Sequence, residues 1–298
     1  MSSQLSLKGK FRINERLAGH TSFKVGGVVR YWAEPQDIPD LRNLVAFAKN
    51  KKMPLRIIGA GSNLLVNDGK IKGVVVKLSS NCFKSIKKVN QRMLRVGAGL
   101  SLARLVSYTR RSGLSGCELL SGIPGTVGGA LAMNAGGIGD SVFDVSVMGH
   151  NGRIKILGNK DIRFGYRSSN LGRYIILGAR LKLVKRSKRA IGKSINEYLA
   201  YRRRTQDLSF PSAGCVFKNP DSERMARRVK PSAAYFIERC GLKGLSFGEA
   251  AVSDKHANFI VNKGKAGFSD IRRLMRHVAG QVRKRFNVIL EPEIKIWT

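Results

Sequence analysis

Acidic residues are scarce in this chain. Its 298 residues include 19 Asp and Glu against 55 Lys and Arg, which gives a formal net charge of +36 at pH 7. Such an excess leaves two interpretations open: a surface that binds nucleic acid, or a site for polyanionic small molecules in a generally basic protein. Many basic residues fall on the solvated face of a predicted helix without interleaved aromatics, as at Arg272, Arg273 and Arg276. We therefore do not expect nucleic acid to be the main partner.

Cysteine and long apolar runs are also scarce. The four cysteines, at positions 82, 117, 215 and 240, have neither metal-site nor redox-motif spacing, so we predict no resident metal. Residues 1–11 contain no apolar stretch typical of a signal peptide. The uncharged stretch 119–139 holds seven glycines, Pro124 and Asn134, a composition that argues against a membrane span. The sequence predicts a soluble cytoplasmic protein without a membrane anchor.

The first half of the chain alternates short apolar strands with amphipathic helices. Strands are predicted at 55–58, 74–76 and 95–97. One helix is predicted around 41–48, after the entry signals Asp37 and Pro39, and another at 101–111, capped by Ser101. The basic run 182–193 leaves little to pack, so we place the main boundary there. The predicted domains are 1–188, split near 78, and 189–298.

The last hundred residues predict a different arrangement. A short helix is expected at 231–240 with Ala234, Ile237 and Tyr235 inward, and a long one at 269–286 with one apolar face. Alternation over 288–296 predicts a strand on which Glu291 and Glu293 share the polar face. The pattern alone cannot separate these two glutamates.

Two glycine clusters and one cysteine motif are candidates for chemistry. Gly59-Ala60-Gly61-Ser62-Asn63 follows a strand and could bind phosphate, although Leu64 replaces the third glycine of a dinucleotide fingerprint. The uncharged cluster 122–137 suits either a flat ligand or a packing loop. Arg167, between Tyr166 and two serines, could bind a carboxylate. Ser212–Pro220 presents Cys215, followed by Lys218 and Asn219.

Taken in order, these segments resemble the MurB family of UDP-N-acetylenolpyruvoylglucosamine reductases, over almost the whole chain. The length and the short region after Tyr166 are similar to the subtype that lacks an inserted substrate-covering loop. The segments that carry the resemblance are His20–Gly27, Gly59–Val66, Ser121–Gly129, Tyr166–Arg167, Gly214–Pro220, Ala233–Glu238, Gly241–Gly244, His256–Asn262 and Glu291–Glu293.

The resemblance implies an α+β fold, with an FAD-binding unit of the vanillyl-alcohol-oxidase (PCMH) type in two subdomains and a smaller C-terminal α+β substrate domain. Non-covalent FAD would lie along both glycine-rich loops, with its pyrophosphate near 59–63 and 125–129. The implied cofactor-binding residues are Ile58, Gly59, Gly61, Ser62, Asn63, Leu64, Gly122, Ile123, Gly125, Thr126, Gly128, Gly129, Asn134, Ala135 and Gly136.

The resemblance also implies a reaction, the reduction of UDP-N-acetylglucosamine enolpyruvate to UDP-N-acetylmuramate in peptidoglycan precursor synthesis. We expect the protein to be a monomer. NADPH would reduce FAD and leave, the sugar nucleotide would take its place, and hydride would pass from flavin N5 to substrate C3. Arg167 and Glu293 match the pair that stabilises the enolate, and Cys215 matches the proton donor to C2. The residues that match substrate-binding positions are Tyr166, Lys218, Asn219, Lys243 and His256.

Two details of the resemblance concern single residues. Glu293 is preferred over Glu291 because its Glu-Ile-Lys context matches the family's Glu-Val-Arg. At the position of Cys215 the family usually has serine. A thiol, with an ordinary pKa near ~8.5, is the better acid, but a thiolate has no proton to give and is open to oxidation.

Two alternative functions are consistent with parts of the sequence. A flavoprotein of the same fold could oxidise a sugar or an alcohol with oxygen, although such an oxidase needs none of Arg167, Cys215 and Glu293. A basic nucleic-acid-binding protein could retain an inactive enzyme fold, and salt-sensitive DNA binding would favour it.

Overall fold

The computed structural model describes residues 7–220 and 231–298. Residues 1–6, part of the stretch predicted to lack a signal peptide, lie outside the described residues. The described chain forms two compact units: the first from parts of 1–15, 29–60 and 72–201, the second from parts of 16–28, 61–71 and 202–298. Each unit therefore joins stretches that are distant in sequence.

The described residues contain both strands and helices, numbered in chain order. The strands are β1 (Lys10–Arg16), β2 (Val28–Glu34), β3 (Leu55–Ile58), β4 (Leu64–Val66), β5 (Ile71–Lys77), β6 (Ile86–Asn90), β7 (Met93–Gly97), β8 (Leu114–Ser115), β9 (Val142–Met148), β10 (Ile154–Gly158), β11 (Phe164–Gly165), β12 (Ser168–Ser169), β13 (Ile175–Lys182), β14 (Val184–Lys185), β15 (Ser212–Cys215), β16 (Ser246–Phe247), β17 (Ala250–Val252), β18 (Phe259–Asn262) and β19 (Lys295–Trp297). The α-helices are α1 (Ile38–Asn50), α2 (Leu102–Arg111), α3 (Val127–Met133), α4 (Lys188–Thr205), α5 (Ala233–Arg239) and α6 (Phe268–Phe286). No described helix is long and apolar enough to cross a bilayer.

The first unit is built on two sheets, ordered β1-β2-β5-β3 and β10-β9-β13-β7-β6. The predicted helix starts are confirmed: Asp37 caps α1, with Pro39 in its first turn, and Ser101 caps α2 by accepting from the Arg104 N–H at 3.3 Å. The apolar face of α1, which includes Leu41 and Leu44, packs into the same core as β5 and β7. The predicted strands at 55–58, 74–76 and 95–97 are all present.

The basic run 182–193 packs more tightly than predicted. Leu183 and Ile191 are buried, β14 pairs with β8, and α4 places Ile191, Gly192 and Ile195 inward. Gly192 lies close to α2, since the Arg110 guanidinium is 3.2 Å from where its Cβ would be. Compact packing therefore continues through residue 201 of the first unit instead of ending near 188.

The second unit contains the sheet β15-β18-β17-β16 and the parallel pair β19-β4. As predicted, α6 buries Ile271, Leu274, Met275, Val278 and Val282, and this face packs against β16 and β17. Helix α5 turns Ala233, Phe236 and Ile237 inward and leaves Ala234 and Tyr235 half-buried. Ala234 and Tyr235 also pack against this core, as predicted, but at its partly exposed edge.

The predicted strand over 288–296 is wrong in its central part. Strand β19 covers only Lys295–Trp297, and Pro292 contributes a single bridge to Phe217. The alternation breaks at Pro292, so Glu291 is exposed whereas Glu293 is buried, with 8% of its surface accessible. A proline cannot donate to a sheet ladder, and this break puts the two glutamates in different environments.

Asp40 is a buried carboxylate that holds three backbone N–H groups of the first unit. It accepts hydrogen bonds from the N–H groups of Gln36, Lys8 and Gly9 at 3.0, 3.1 and 2.8 Å. Burial alone would raise the pKa of Asp40, but these backbone bonds outweigh it and lower the pKa below the usual value.

Replacing Asp40 with alanine should lower the free energy of unfolding by about 2–4 kcal/mol at pH 7, because three N–H groups lose a charged acceptor. A group whose pKa is lowered by folding stabilises above its unfolded pKa, and that stabilisation is lost as the pH falls. The gap in the free energy of unfolding between wild type and Asp40→Asn, measured with urea, should therefore narrow as the pH falls below ~4. A gap that stays constant from pH 7 to pH 3 would contradict this assignment.

Candidate active site

The two glycine-rich loops meet within the first unit. Gly59, directly after β3, lies so close to Thr126 that an added Cβ would be 2.7 Å from the Thr126 Oγ1. Thr126 caps α3, and its Oγ1 accepts from the Gly129 N–H at 3.3 Å. Ile58 is buried at the end of β3. The start of the first candidate phosphate loop therefore packs against the second loop at Thr126.

The N–H groups of the second loop are partly used within the protein. Val127 and Gly128 donate to the carbonyl oxygens of Leu100 and Ala98, at 2.9 and 2.8 Å. An added Cβ on Gly128 would lie 3.0 Å from the Ala98 Cβ. Gly128 therefore contributes close backbone packing, whatever it also contributes to a ligand.

Asn134 ties this loop region to the hairpin that carries Arg167. It adopts a left-handed conformation (φ 46°) at the end of α3. Its Nδ2 donates to the Gly165 carbonyl at 3.2 Å, and its Oδ1 accepts from the Gly139 N–H at 3.1 Å. The next two predicted residues, Ala135 and Gly136, continue into a 3-10 helix in which Gly136 has φ 58°.

Arg167 occupies the turn of the short hairpin β11-β12. Phe164 pairs with Ser169 and Gly165 with Ser168, which leaves Tyr166 and Arg167 as the two loop residues. Arg167 has φ 52°, a conformation that costs a non-glycine residue about 1 kcal/mol or more. Its side chain is half-buried, whereas Tyr166 is 57% exposed. A strained arginine fixed by its turn is typical of a functional position.

The remaining predicted residues lie in the second unit, where Cys215 ends β15. Ser212 pairs with Val261 and Cys215 with Phe259, so a bulge lies between them. Gly214 supplies the bulge with φ 76°, and nothing lies within 4 Å of where its Cβ would be. The bulge redirects the backbone at Cys215, whose side chain is half-buried.

The C-terminal segment joins Cys215's neighbours to the first glycine loop. The Glu293 N–H donates to the Val216 carbonyl at 2.7 Å. On its other side, Asn63 donates from Nδ2 to the Glu293 carbonyl at 3.4 Å and accepts from the Lys295 N–H at 2.9 Å. Strand β19 then pairs with β4, which begins at Leu64. The structure thus brings Cys215, Glu293 and Asn63 together.

Gly61 in the same loop packs against the segment 16–28. Its φ is 67°, and an added Cβ would lie 2.0 Å from the His20 carbonyl oxygen. The Gly61 carbonyl accepts from the Ser22 N–H at 3.1 Å. Only glycine fits this position, which explains the presence of His20–Gly27 among the segments that carry the resemblance.

Two predicted substrate-binding residues follow Cys215. The Lys218 Nζ lies 3.0 Å from the Glu291 Oε2, so the exposed glutamate of the pair neutralises this lysine. The Asn219 Oδ1 accepts from the Ala233 N–H at 3.0 Å, at the start of α5. Each side chain therefore has a structural contact in addition to any contact with a ligand.

Lys243 and His256 form a second polar group in this unit. Lys243 pairs with Glu238 at 2.5 Å, and both charges influence His256. The His256 ring packs on Phe259, and its Nδ1 accepts from the Asn258 N–H at 3.2 Å. Burial, with a smaller contribution from Lys243, lowers the pKa of His256. The lowered pKa favours the neutral imidazole, and the bond accepted at Nδ1 places its proton on Nε2.

We expect NMR titration of His256 to give a pKa below the ordinary value of ~6.5. Replacing Lys243 with methionine should raise this pKa because a neighbouring positive charge is removed, whereas Lys265→Met, at an exposed position, should leave it unchanged. A His256 pKa at or above the ordinary value would contradict the neutral assignment.

Sequence reasoning did not single out two buried asparagines on β18 or beside it. Asn258 holds the backbone of Phe217, and Asn262 holds the turn after β18 together with Phe23. The signal was available, because an asparagine amid apolar strand residues needs partners for its amide. Among residues 7–220 and 231–298, no cluster of three or more His, Cys, Asp or Glu residues could hold a metal ion.

Comparison with known proteins agrees with this arrangement. Residues 29–156 match the FAD binding domain family, and residues 206–297 match the C-terminal domain of UDP-N-acetylenolpyruvoylglucosamine reductase. The reductase of Geotalea uraniireducens is 39% identical over 297 residues, 98% of this chain and 95% of the relative. That of Caldanaerobacter subterraneus subsp. tengcongensis is 40% identical over 295 residues, 97% and 94% of the two chains. The crystal structure of the Thermus caldophilus reductase (MurB) is 33% identical, covers 98% of this chain and 100% of its own, and has a TM-score of 0.81.

The glycine-rich loops and the FAD-binding match define a flavoprotein of the vanillyl-alcohol-oxidase type, with the predicted α+β fold. The loop residues fit FAD, because 58–64 and 122–129 contain no acidic side chain and present backbone amides together with the polar side chains of Ser62, Asn63 and Thr126. The chain belongs to the family of UDP-N-acetylenolpyruvoylglucosamine reductases, which are oxidoreductases of peptidoglycan precursor synthesis.

Proposed function

We propose that this chain reduces UDP-N-acetylglucosamine enolpyruvate to UDP-N-acetylmuramate with NADPH as the source of the hydride. Membership of the family supports the reaction. The observation that carries the assignment to particular residues is the burial of Glu293 directly beside the Cys215 segment, through the Glu293 N–H to Val216 carbonyl bond of 2.7 Å. Glu291, which the sequence pattern could not separate from it, is exposed and paired with Lys218.

FAD would be held by the loops 58–64 and 122–129, with Asn134, Ala135 and Gly136 beside them. When bound, FAD supplies the chemistry of hydride transfer, from NADPH to C3 of the enolpyruvyl group. The protein must then stabilise negative charge and donate one proton. Addition of hydride at C3 puts negative charge on C2 and on the adjoining carboxylate. The species in which they share this charge is an enolate.

Arg167 is proposed to stabilise this developing charge, because a guanidinium donates two parallel hydrogen bonds to a carboxylate. Its turn fixes the backbone from which the side chain extends, which reduces the ordering that remains when the substrate binds. Glu293 helps an anionic enolate only as a protonated acid or as the partner of a cation.

Cys215 is proposed to donate the proton that completes C2. The S–H bond breaks, the C2–H bond forms, and the resulting thiolate is reprotonated from solvent. The half-buried thiol at a bulge has the limited exposure that a proton donor requires. Tyr166, Lys218, Asn219, Lys243 and His256 are proposed to bind the sugar nucleotide. The lysines suit its diphosphate, and the neutral His256 suits a hydrogen bond to an uncharged group.

Anaerobic mixing tests this proposal. FAD-loaded protein should lose its yellow absorbance with NADPH and regain it when UDP-N-acetylglucosamine enolpyruvate is added. Recovery only after oxygen enters would favour the oxidase alternative. If NADPH does not bleach the flavin, the choice of NADPH as reductant is contradicted. A parallel reaction with NADH would then show whether NADH reduces the flavin instead. That the protein is a cytoplasmic monomer and does not bind nucleic acid stays a prediction.

A further inference from the structure

Asn258 holds the backbone directly after Cys215 through several hydrogen bonds. Its Oδ1 accepts from the Phe217 N–H at 3.0 Å, and its Nδ2 donates to the Phe217 carbonyl at 2.8 Å. Its own carbonyl accepts from the Val216 N–H at 2.9 Å. The residue is 3% exposed, so these bonds are protected from water. One buried asparagine thus fixes both peptide groups that follow Cys215.

These bonds replace the sheet ladder at the point where it stops. Strand β15 ends at Cys215, and its pairing with β18 is already interrupted by the bulge at Gly214. Without Asn258, the buried N–H and C=O of Phe217 would lose these partners, and a local rearrangement would be favoured over leaving them unsatisfied. A rearrangement two residues from Cys215 moves its thiol.

The same residue also orients His256, because the Asn258 N–H donates to the His256 Nδ1 at 3.2 Å. Asn258 therefore connects two residues of the proposed site, the proton donor and a substrate-binding imidazole. It contacts neither substrate nor cofactor in this proposal, so its contribution must be through the residues that it holds.

We propose that Asn258 is a positioning residue for the protonation step: its side-chain amide fixes the Cys215 thiol at the place from which it donates to C2. This inference rests on the proposed function of Cys215. A displacement of about 1 Å at a reacting group can cost about 10²-fold in rate. The effect should fall on the half-reaction that consumes the sugar nucleotide, since reduction of the flavin by NADPH needs no proton from Cys215.

The chain offers a matched control in Asn262, four residues further on. It has the same 3% exposure, and its side-chain amide makes three hydrogen bonds against the two of Asn258, from the N–H groups of Gly264 and Ala266 and to the Phe23 carbonyl. These bonds lie in the turn after β18 and at Phe23. Asn258→Ser and Asn262→Ser thus remove equivalent buried amides, and only the first amide touches the Cys215 segment.

Stopped-flow measurement on FAD-loaded protein separates the two half-reactions. In Asn258→Ser we expect flavin reoxidation by UDP-N-acetylglucosamine enolpyruvate to slow by about 10²-fold, with flavin reduction by NADPH changed by less than about threefold. In Asn262→Ser both rates should stay within about threefold of wild type. The melting temperature should fall in this variant as it does in Asn258→Ser. Asn258→Asp, which keeps the shape and the acceptor for the Phe217 N–H, provides a second variant if the serine variant does not fold.

A second readout does not depend on catalysis. The rate of alkylation of each cysteine by iodoacetamide, measured by mass spectrometry at fixed pH, should rise at Cys215 in the Asn258 variants by more than about threefold, because the loop is released. Exposed Cys82 serves as the internal reference and should not change.

The outcomes separate the two proposals. If wild-type flavin is not reoxidised by the sugar nucleotide, the proposed function fails. The Cys215 alkylation rates of wild type and the Asn258 variants still test whether Asn258 positions Cys215. If wild type is active but the Asn258 and Asn262 variants slow both half-reactions equally, or if Cys215 alkylation does not change, the positioning role is overturned.

Discussion

Replacing Cys215 with alanine should slow flavin reoxidation by the sugar nucleotide by about 10²–10⁴-fold, the usual contribution of a positioned acid. Flavin reduction by NADPH should be nearly unchanged, because that half-reaction requires no proton at C2. Cys215→Ser should retain much of the activity, since a hydroxyl also carries a transferable proton. Measuring the two half-reactions separately gives a direct comparison of the three proteins.

The remaining cysteines supply controls for this prediction. Burial raises the pKa of Cys117 to about 12, so its thiol stays protonated and unreactive. Cys82 is exposed, and Cys82→Ala should be fully active. The wild type should also lose activity at alkaline pH, as the thiol becomes a thiolate, and after treatment with peroxide. Cys215→Ser should lose neither, so equal alkaline loss in both proteins would remove Cys215 from the mechanism.

The second large effect is expected at Gly61. Alanine there would place a Cβ 2.0 Å from the His20 carbonyl oxygen, so the backbone of the loop or of segment 16–28 must move. We expect displacement of the loop to cost about 3 kcal/mol of cofactor binding, which raises the Kd for FAD about 100-fold. Fluorescence titration of the apoprotein with FAD measures this change.

Gly241 provides the matched control, because its φ of 71° is nearly that of Gly61 and nothing lies within 4 Å of where its Cβ would be. Gly241→Ala therefore introduces the same backbone strain without the clash. It should lower the free energy of unfolding by about 1 kcal/mol and leave FAD binding intact. Equal loss of FAD in both variants would show that strain, and not the approach of the loop to His20, controls the affinity.

Local signals in the sequence were sufficient for four of the described α-helices and for three short strands. Caps and apolar periodicity predicted α1, α2 and α6, because each of these helices carries its own start signal and its own buried face. The strand expected at 288–296 failed, because periodicity takes no account of the bridge between Pro292 and Phe217. The packing of 182–193 was missed for a similar reason, since its partners lie in β8 and α2.

The candidate site shows the same division between local and non-local information. The motifs around Gly59, Cys215 and Glu293 are visible one by one, and the family resemblance assigned them roles. Their contacts within the second unit, such as Glu293 with Val216 and Asn63 with Lys295, join residues distant in sequence. No local pattern encodes such contacts. Asn258 was overlooked because its place beside apolar strand residues shows that its amide needs partners, but not which distant backbone groups they are.

The pairing of β4 with β19 has a consequence for the order of events during protein synthesis. Residues 64–66 leave the ribosome early, but their parallel partner is residues 295–297. The Asn67 N–H also has a partner that is synthesised late, because it donates to the Trp297 carbonyl at 2.8 Å. Pairing over such a separation is slow, because the loop entropy is lost before the contacts form. We therefore expect nascent chains stalled before residue 295 not to bind FAD.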